Sequence, residues 1–324
     1  MFAISLFERS LVMKKKFILF CTAFTLFASL TAGCASAAGS KNVIASRPET
    51  DRSAMLAKYS YDLEKSVEVG GRQGITTDGE YYYVSGSTVL IKYDKNWNEI
   101  ARNEDPFEGY DLEVNHIGDI DIYNNELYLG TEYFMDGVGT NIQISVYDAD
   151  TLTMKRTFPF EESTGQLECS GITVNPDDKV VCMVSWVGEE SGRYLYEYDL
   201  ETGAFKRKIH LQPAPQWVQG VVYYNGNYYL TADDGTADEK EPDHLYKVSV
   251  SPNGNYAAVS LERTFDDVTF QGEIEGLAFE PKTGKFLLLY NRGSRIVLGM
   301  VKGFYDGYDK EIAEVFIYNT KQQA

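Results

Sequence analysis

The sequence contains no Gly-rich phosphate loop, no HExxH, no Gly-x-Ser-x-Gly and no CxxC. The familiar nucleotide-binding, zinc-protease, serine-hydrolase and dithiol signatures are therefore absent. No apolar run is long enough to cross a bilayer. Phe17 to Leu30 is apolar over 14 residues, against about 20 needed for a spanning helix. Cysteine is scarce, with four in 324 residues, and basic residues are outnumbered, 30 Lys and Arg against 48 Asp and Glu, for a net charge of −18. A surface this acidic repels phosphate backbones, so nucleic acid is not an expected partner. It suits an exported protein and is compatible with cation binding. What is abundant is aromatic residues and glycine, with 24 Tyr, 17 Phe and 28 Gly, which favours strands and turns over helices.

The N-terminus reads as a targeting segment over residues 1–34. Lys14-Lys15-Lys16 forms a basic region ahead of the short apolar stretch, and Met13 is the more natural start. The stretch ends in Leu30-Thr31-Ala32-Gly33-Cys34. This resembles a bacterial lipobox, with Thr31 where Leu is usual, and it implies lipidation at Cys34. The expectation is an exported chain held at the cell membrane through its N-terminal lipid and facing outside, or secreted if the segment is cut after Ala37 instead. Loss of residues 1–33 removes Arg9, Lys14, Lys15 and Lys16 but only one acid, Glu8, so the mature chain is still more acidic. Residues 35–57 show no sustained period and read as a flexible tether.

Cys21 leaves with the signal, and Cys169 and Cys182 remain in the two strands of one predicted hairpin. Export permits a disulfide. A turn at Asn175–Asp178 puts Cys169 diagonal to Cys182 on one face, a marginal geometry for a bridge. A disulfide and two buried free thiols are both open.

Residues 58–324 repeat one phrase: a Gly and a short apolar run, a turn, a second apolar run, a gap, then an aromatic strand end. The copies begin at Gly74-Ile75, Asp119-Ile120, Gly171-Ile172, Gly220-Val221 and Gly276-Leu277. Their turns are Asp78-Gly79, Asn124-Asn125, Asn175 to Asp178, Asn225-Gly226 and Pro281 to Gly284. The first four copies continue into a further strand, around 99–102, 154–158, 205–211 and 257–265. The fifth lacks one, and the segment Tyr61 to Val69 ahead of the first copy supplies it. Four strands per unit at a period of about 50 residues predict propeller blades. The expectation is an all-β, five-bladed β-propeller, closed by an N-terminal strand that completes the last blade. Six blades would need a blade within residues 293–310, which read as a long loop.

This pattern resembles the β-propeller superfamily. Gln73-Gly74-Ile75 and the later Lys92-Tyr93-Asp94 look somewhat like the five-bladed glutaminyl cyclases, whose first blade opens Thr-Gln-Gly-Leu. Here Arg72 precedes Gln73, and the Trp and Asn residues used in that family's later blades have no clear counterparts. The calcium-dependent lactonase and gluconolactonase propellers hold metal with acidic and amide groups at the channel mouth, and this sequence has such groups without a copy of their motif.

Residues just before each inner strand should crowd the central channel. The position before the apolar anchor is Gly in four copies and Asp119 in the second, a break in the rule that marks a candidate. Two before the anchor stand Gln73, Gly118, Ser170, Gln219 and Glu275, and four before it Gly71, His116, Glu168, Trp217 and Glu273. Loops after the second strands bring Glu132, Trp186, Asp233, Asp234, Asn291 and Arg292 to the same face. Asp119, Glu168, Glu273 and Glu275 are candidate ligands for Ca²⁺, and His116 with Glu168 or Glu273 a candidate acid/base set. Arg72, Gln73, Trp186, Trp217, Gln219, Asn291 and Arg292 are candidate ligand contacts. The stretch 233–239 misses the EF-hand spacing and reads as a solvated loop. Paired tyrosines such as Tyr82-Tyr83 and Tyr228-Tyr229 read as packing on alternate faces.

Two functions are open. One is a monomeric binding module for a small molecule, glycan or protein at an acidic channel mouth. The other is a metal-assisted hydrolase or lyase at the same place, which requires several of these acids to converge on one point.

Overall fold

The structure, a computed structural model, describes residues 56–159, 161–187, 190–251, 254–268 and 271–323. The signal segment, Cys34 and nearly all of the tether lie outside the described residues. The fold is all-β. Strand β1 (Tyr59–Glu68) is followed by β2 (Gly74–Thr77), β3 (Tyr82–Gly86), β4 (Val89–Tyr93) and β5 (Glu99–Asn103), which form one sheet in that order. A second sheet holds β6 (His116–Tyr123), β7 (Glu126–Met135), β8 (Val138–Asp148) and β9 (Met154–Pro159). Next come β10 (Gly171–Asn175), β11 (Val180–Val184), β12 (Tyr194–Asp199) and β13 (Phe205–Gln212), then β14 (Val218–Tyr224), β15 (Asn227–Ala232), β16 (His244–Val250) and β17 (Tyr256–Thr264). The last strands are β18 (Gly272–Phe279), β19 (Phe286–Arg292), β20 (Ser294–Val297), β21 (Met300–Phe304) and β22 (Ile312–Gln322).

Two features depart from five separate units. The third and fourth units are one eight-stranded sheet, joined where β13 runs parallel to β17 through His210–Gln212 and Tyr256–Ala258. Its end strands β10 and β14 touch, so this sheet nearly closes on itself like a barrel. Residues 293–310 are also not a plain loop, because β20 and β21 form a separate hairpin there. The N-terminal strand does complete the last sheet. Its order is β1-β22-β19-β18, with Tyr59 opposite Gln322 and Glu68 opposite Glu314. Glu262 in β17 secures the start of β1 by accepting from the Lys58 and Tyr59 amides at 2.8 Å each.

The inner strands of the sheets alternate faces, and both of their faces are buried. Along β19, Phe286, Leu288 and Tyr290 enter one apolar cluster while Leu287 and Leu289 enter another. The tyrosine pairs behave likewise: Tyr82 and Tyr83 part into different clusters, as do Tyr228 and Tyr229. Each four-strand unit thus shares one apolar cluster with the unit before it and one with the unit after, and the series returns from the last unit to the first. The inner strands follow the same cycle, β2 touching β6, β6 touching β10, β10 touching β14, β14 touching β18, and β18 touching β2. This is compatible with a propeller-like fold.

Register also settles the cysteines. Cys182 lies opposite Thr173, not diagonal to Cys169. The two thiols are free, buried and in different apolar clusters, because the chain at Cys169 has not yet entered the β10–β11 ladder.

Where the inner strands meet, space is the controlling constraint. A Cβ on Gly276 would sit 2.8 Å from the Gly74 Cα and 2.4 Å from Asp119 Oδ1. A Cβ on Gly74 would sit 2.6 Å from the Ile120 amide nitrogen. Only glycine fits at those two positions. Asp119 fills the gap they leave. Its side chain is 0% exposed. Oδ1 accepts the Ile120 N–H at 2.8 Å, and Oδ2 accepts the Val221 N–H from β14 at 3.2 Å. Burial pushes its pKa well up, while the amides of Ile120, Val221 and Ile75 pull it back. Asp119→Ala removes an acceptor for buried amides from separate strands, and each orphaned amide costs roughly 1–3 kcal/mol. Denaturant unfolding should show the variant destabilised by that order. An unchanged midpoint would show that the carboxylate does not hold these strands.

Candidate functional site

The cleft at the ends of the inner strands is shaped by breaks in register. β6 slips between Ile117 and Ile120, β14 between Val218 and Gly220, and β18 between Ile274 and Leu277. Each slip falls where the repeat has its Gly or Asp. A bulge adds a residue to one strand and re-aims its neighbours. Gln219 and Glu275, at two of these slips, line the cleft.

The cleft encloses about 60 Å³, room for a few waters or a small head group. Its lining includes Arg72, Gln73, His116, Glu168, Trp186, Gln219, Glu273 and Glu275, all expected at the channel mouth from the sequence. Ser87, Phe134, Ser170 and Gly299 complete it. Four of the candidate ligand and metal contacts are placed elsewhere. Asp119 lies among the inner strands. Trp217 stands at the rim, 43% exposed, its ring 5.1 Å from that of Trp186. Asn291 is buried as the cross-strand partner of Glu273, and neither polar atom of its amide has a partner among the described residues. Arg292 turns to Glu314, its Nε 2.5 Å from Oε2.

The lining groups are bonded to one another. Gln73 Nε2 donates to Glu275 Oε1 at 3.2 Å, and Gln73 Oε1 lies 2.7 Å from His116 Nε2. His116 Nδ1 lies 3.3 Å from Glu132 Oε1, and Glu132 Oε2 accepts the Cys169 N–H at 3.1 Å. Gln219 Nε2 donates to Glu273 Oε1 at 2.9 Å, and Glu168 Oε2 accepts the Trp186 N–H at 2.6 Å. Arg72 Nη1 is bonded to Glu311 Oε2 at 3.1 Å.

Electrostatics fixes the protons along this chain. Burial, with Arg72 nearby, lowers His116 to about 4, and burial raises Glu132 to about 8. Both shifts favour the uncharged form. Nε2 must carry the imidazole proton, because Gln73 Oε1 only accepts. Nδ1 is then an acceptor, and the Glu132 carboxyl donates to it. Burial pushes Glu168 well up, and its closeness to Glu132 adds to the shift. Burial raises Glu273 to about 7 against the pull of Arg72, and burial with the Glu273 charge raises Glu275.

Beside Glu273 a second hollow of about 210 Å³ is lined by Asp233, Asp238, Glu241, Asp243 and Tyr305. The segment read as a solvated loop therefore forms one of its walls. Asp243 accepts from the Gly235 N–H at 3.1 Å and from the Tyr290 hydroxyl at 3.2 Å. Among the described residues no three His, Cys, Asp or Glu side chains are placed to hold a metal ion together.

The sequence placed Glu132 on this face but gave it no partner. Counting back from the Asn124-Asn125 turn puts His116 opposite Tyr133. The slip in β6 makes its partner Glu132 instead. Phe134 and Glu311 carried no repeat signal at all. No protein-family model matches the sequence, and a comparison with curated proteins finds no match.

The raised carboxyls set a pH dependence. A carboxyl that holds its proton more tightly when folded favours the fold at low pH. That contribution is lost as pH climbs from the unfolded to the folded pKa. The window runs from about 4.5 to about 8 for Glu132 and to about 7 for Glu273. His116 acts in the opposite sense, but only between about 4 and 6.5. Above pH 6.5 the carboxyls alone remain, so stability should fall toward pH 8. Glu132→Gln mimics the protonated acid at both of its contacts. It should recover about 4 kcal/mol at pH 8, from roughly 1.4 kcal/mol per pH unit over that window, and less than about 1 kcal/mol at pH 5. Equal losses at both pH values would mean that Glu132 is ionised in the folded protein.

Proposed function

We propose that the chain is an exported, lipid-anchored, five-bladed β-propeller that binds a small molecule at the cleft on its axis. The cyclic sharing of apolar clusters and the pairing of β1 with β22 support the blade count and the closure. The observation that carries the binding reading is the convergence of Gln73, His116, Glu168, Gln219 and Glu273, from all five repeats, on one cleft. Their hydrogen bonds are made within the protein, so the site is preformed, and Trp186 and Phe134 supply aromatic wall. A concave, preformed pocket with a few convergent polar groups is the usual form of a small-molecule site.

A second reading, a hydrolase or lyase, rests on Glu273. A carboxyl with a pKa of about 7 in a cleft is suited to general acid/base work. A calcium-assisted version would need Glu168, Glu273 and Glu275 to come closer together than they stand among the described residues.

Thermal unfolding against a panel of sugars, amino acids, amines and calcium separates these readings. A ligand at about 100 times its dissociation constant adds about 2.7 kcal/mol. One organic class should raise the midpoint of the wild type by several degrees and leave Gln219→Ala unmoved. A shift by calcium alone, lost in Glu273→Gln, would favour the metal-assisted enzyme. No shift by any compound would contradict the binding reading.

A further inference from the structure

The β20–β21 hairpin is inserted between two paired strands of the last sheet, and it reaches across the cleft. At its foot Arg295 pairs with Asp238 at 2.9 Å and lies over the Tyr305 ring at 4.2 Å. At its tip, Leu298 and Gly299 adopt positive φ of 53° and 73° to make the turn. The tip meets the β7–β8 hairpin of the second sheet. The Phe134 ring packs on Gly299, where a Cβ would come within 2.4 Å of it, and Leu298 rests against Gly137. Phe134 and Gly299 both line the cleft. Two hairpin tips from sheets that are not neighbours therefore meet over one mouth.

The outer surface of this bridge is apolar. Leu298 is 53% exposed and Val138 60%, with Met135, Val297, Met300 and Val301 exposed beside them. Apolar side chains clustered at a pocket rim mark a contact surface. The depth of the cleft has the opposite character. Glu168, Glu273 and Glu275 face one cation, Arg72, which Glu311 already engages. Burial and mutual proximity raise these carboxyls, a cation placed between them favours their ionised form, and the indole of Trp186 offers a face to a cation.

Resting on the cleft being a binding site, we propose that its ligand is an amphiphilic organic cation. An ammonium head lies in the depth between Glu273, Glu275 and Trp186. A hydrocarbon tail leaves beside the joined hairpin tips, along Met135, Val138 and Leu298. The head supplies the positive charge that the carboxyls lack, and the tail covers the apolar rim.

Calorimetric titration with four probes below their micellar concentrations tests this: n-octylammonium, methylammonium, octanoate and octyl glucoside. The n-octylammonium ion should bind at least tenfold tighter than each of the other three. Leu298→Asn, in which Asn tolerates the left-handed turn, should weaken n-octylammonium about tenfold and leave methylammonium unchanged. Equal binding of methylammonium overturns the tail, and equal binding of octanoate or octyl glucoside overturns the charged head; either leaves the cleft as a binding site. A tail effect that survives Leu298→Asn indicates adsorption elsewhere and overturns the proposal. If none of the four binds while another compound gives a Gln219-dependent thermal shift, the proposal alone falls.

Discussion

The carboxylate of Asp119 is the interaction on which the rest of this structure depends. Five inner strands approach so closely that Gly74 and Gly276 have no room for a Cβ, and the buried amides exposed by that crowding need acceptors. Asp119 supplies them from the strand that lacks the glycine, reaching the amide of Val221 on β14 as well as its own neighbour. A buried carboxylate is costly to desolvate, and accepting backbone N–H groups is what offsets that cost. The residue that breaks the repeat is therefore explained by packing and amide satisfaction at the centre, where the sequence alone suggested a metal ligand.

The same crowding creates the site above it. Three of the five inner strands slip register beside the crowded positions, and the slips carry polar side chains into one cleft. Gathering so many acids there would be unfavourable if all were ionised. Instead, burial raises their pKa values, and amide side chains and backbone N–H groups take up their oxygens. Glu132, neutral His116, Gln73 and Glu275 form one continuous hydrogen-bonded chain across three sheets. Such a lining is ready to receive a ligand without rearrangement. The hairpin that roofs it adds apolar surface only at the outer end.

Much of this was legible in the repeat. The Gly-apolar-turn phrase located the inner strands, and the incomplete fifth copy pointed to the closing role of β1. Alignment on Ile75, Ile120, Ile172, Val221 and Leu277 brought seven of the cleft residues together, because equivalent positions in a repeat occupy equivalent places. What repetition does not encode was missed. The hairpin from Ser294 to Phe304 occurs in one unit only. The union of β13 with β17 depends on how two outer strands lie side by side. The partner of His116 was hidden by a one-residue slip, which changes every pairing beyond it. Trp217 and Arg292 were placed on the correct face, but a neighbouring indole and Glu314 draw them away from the cleft itself.

The central claim is that the polar groups of the cleft are neutralised by one another and so form a preformed binding site. With only three histidines in the chain, nitrogen-15 NMR of the imidazole rings reads this directly. The His116 ring should remain neutral, with its proton on Nε2, from pH 5 to pH 8. A His116 that titrates near 6.5, or carries protons on both nitrogens at neutral pH, would contradict the account.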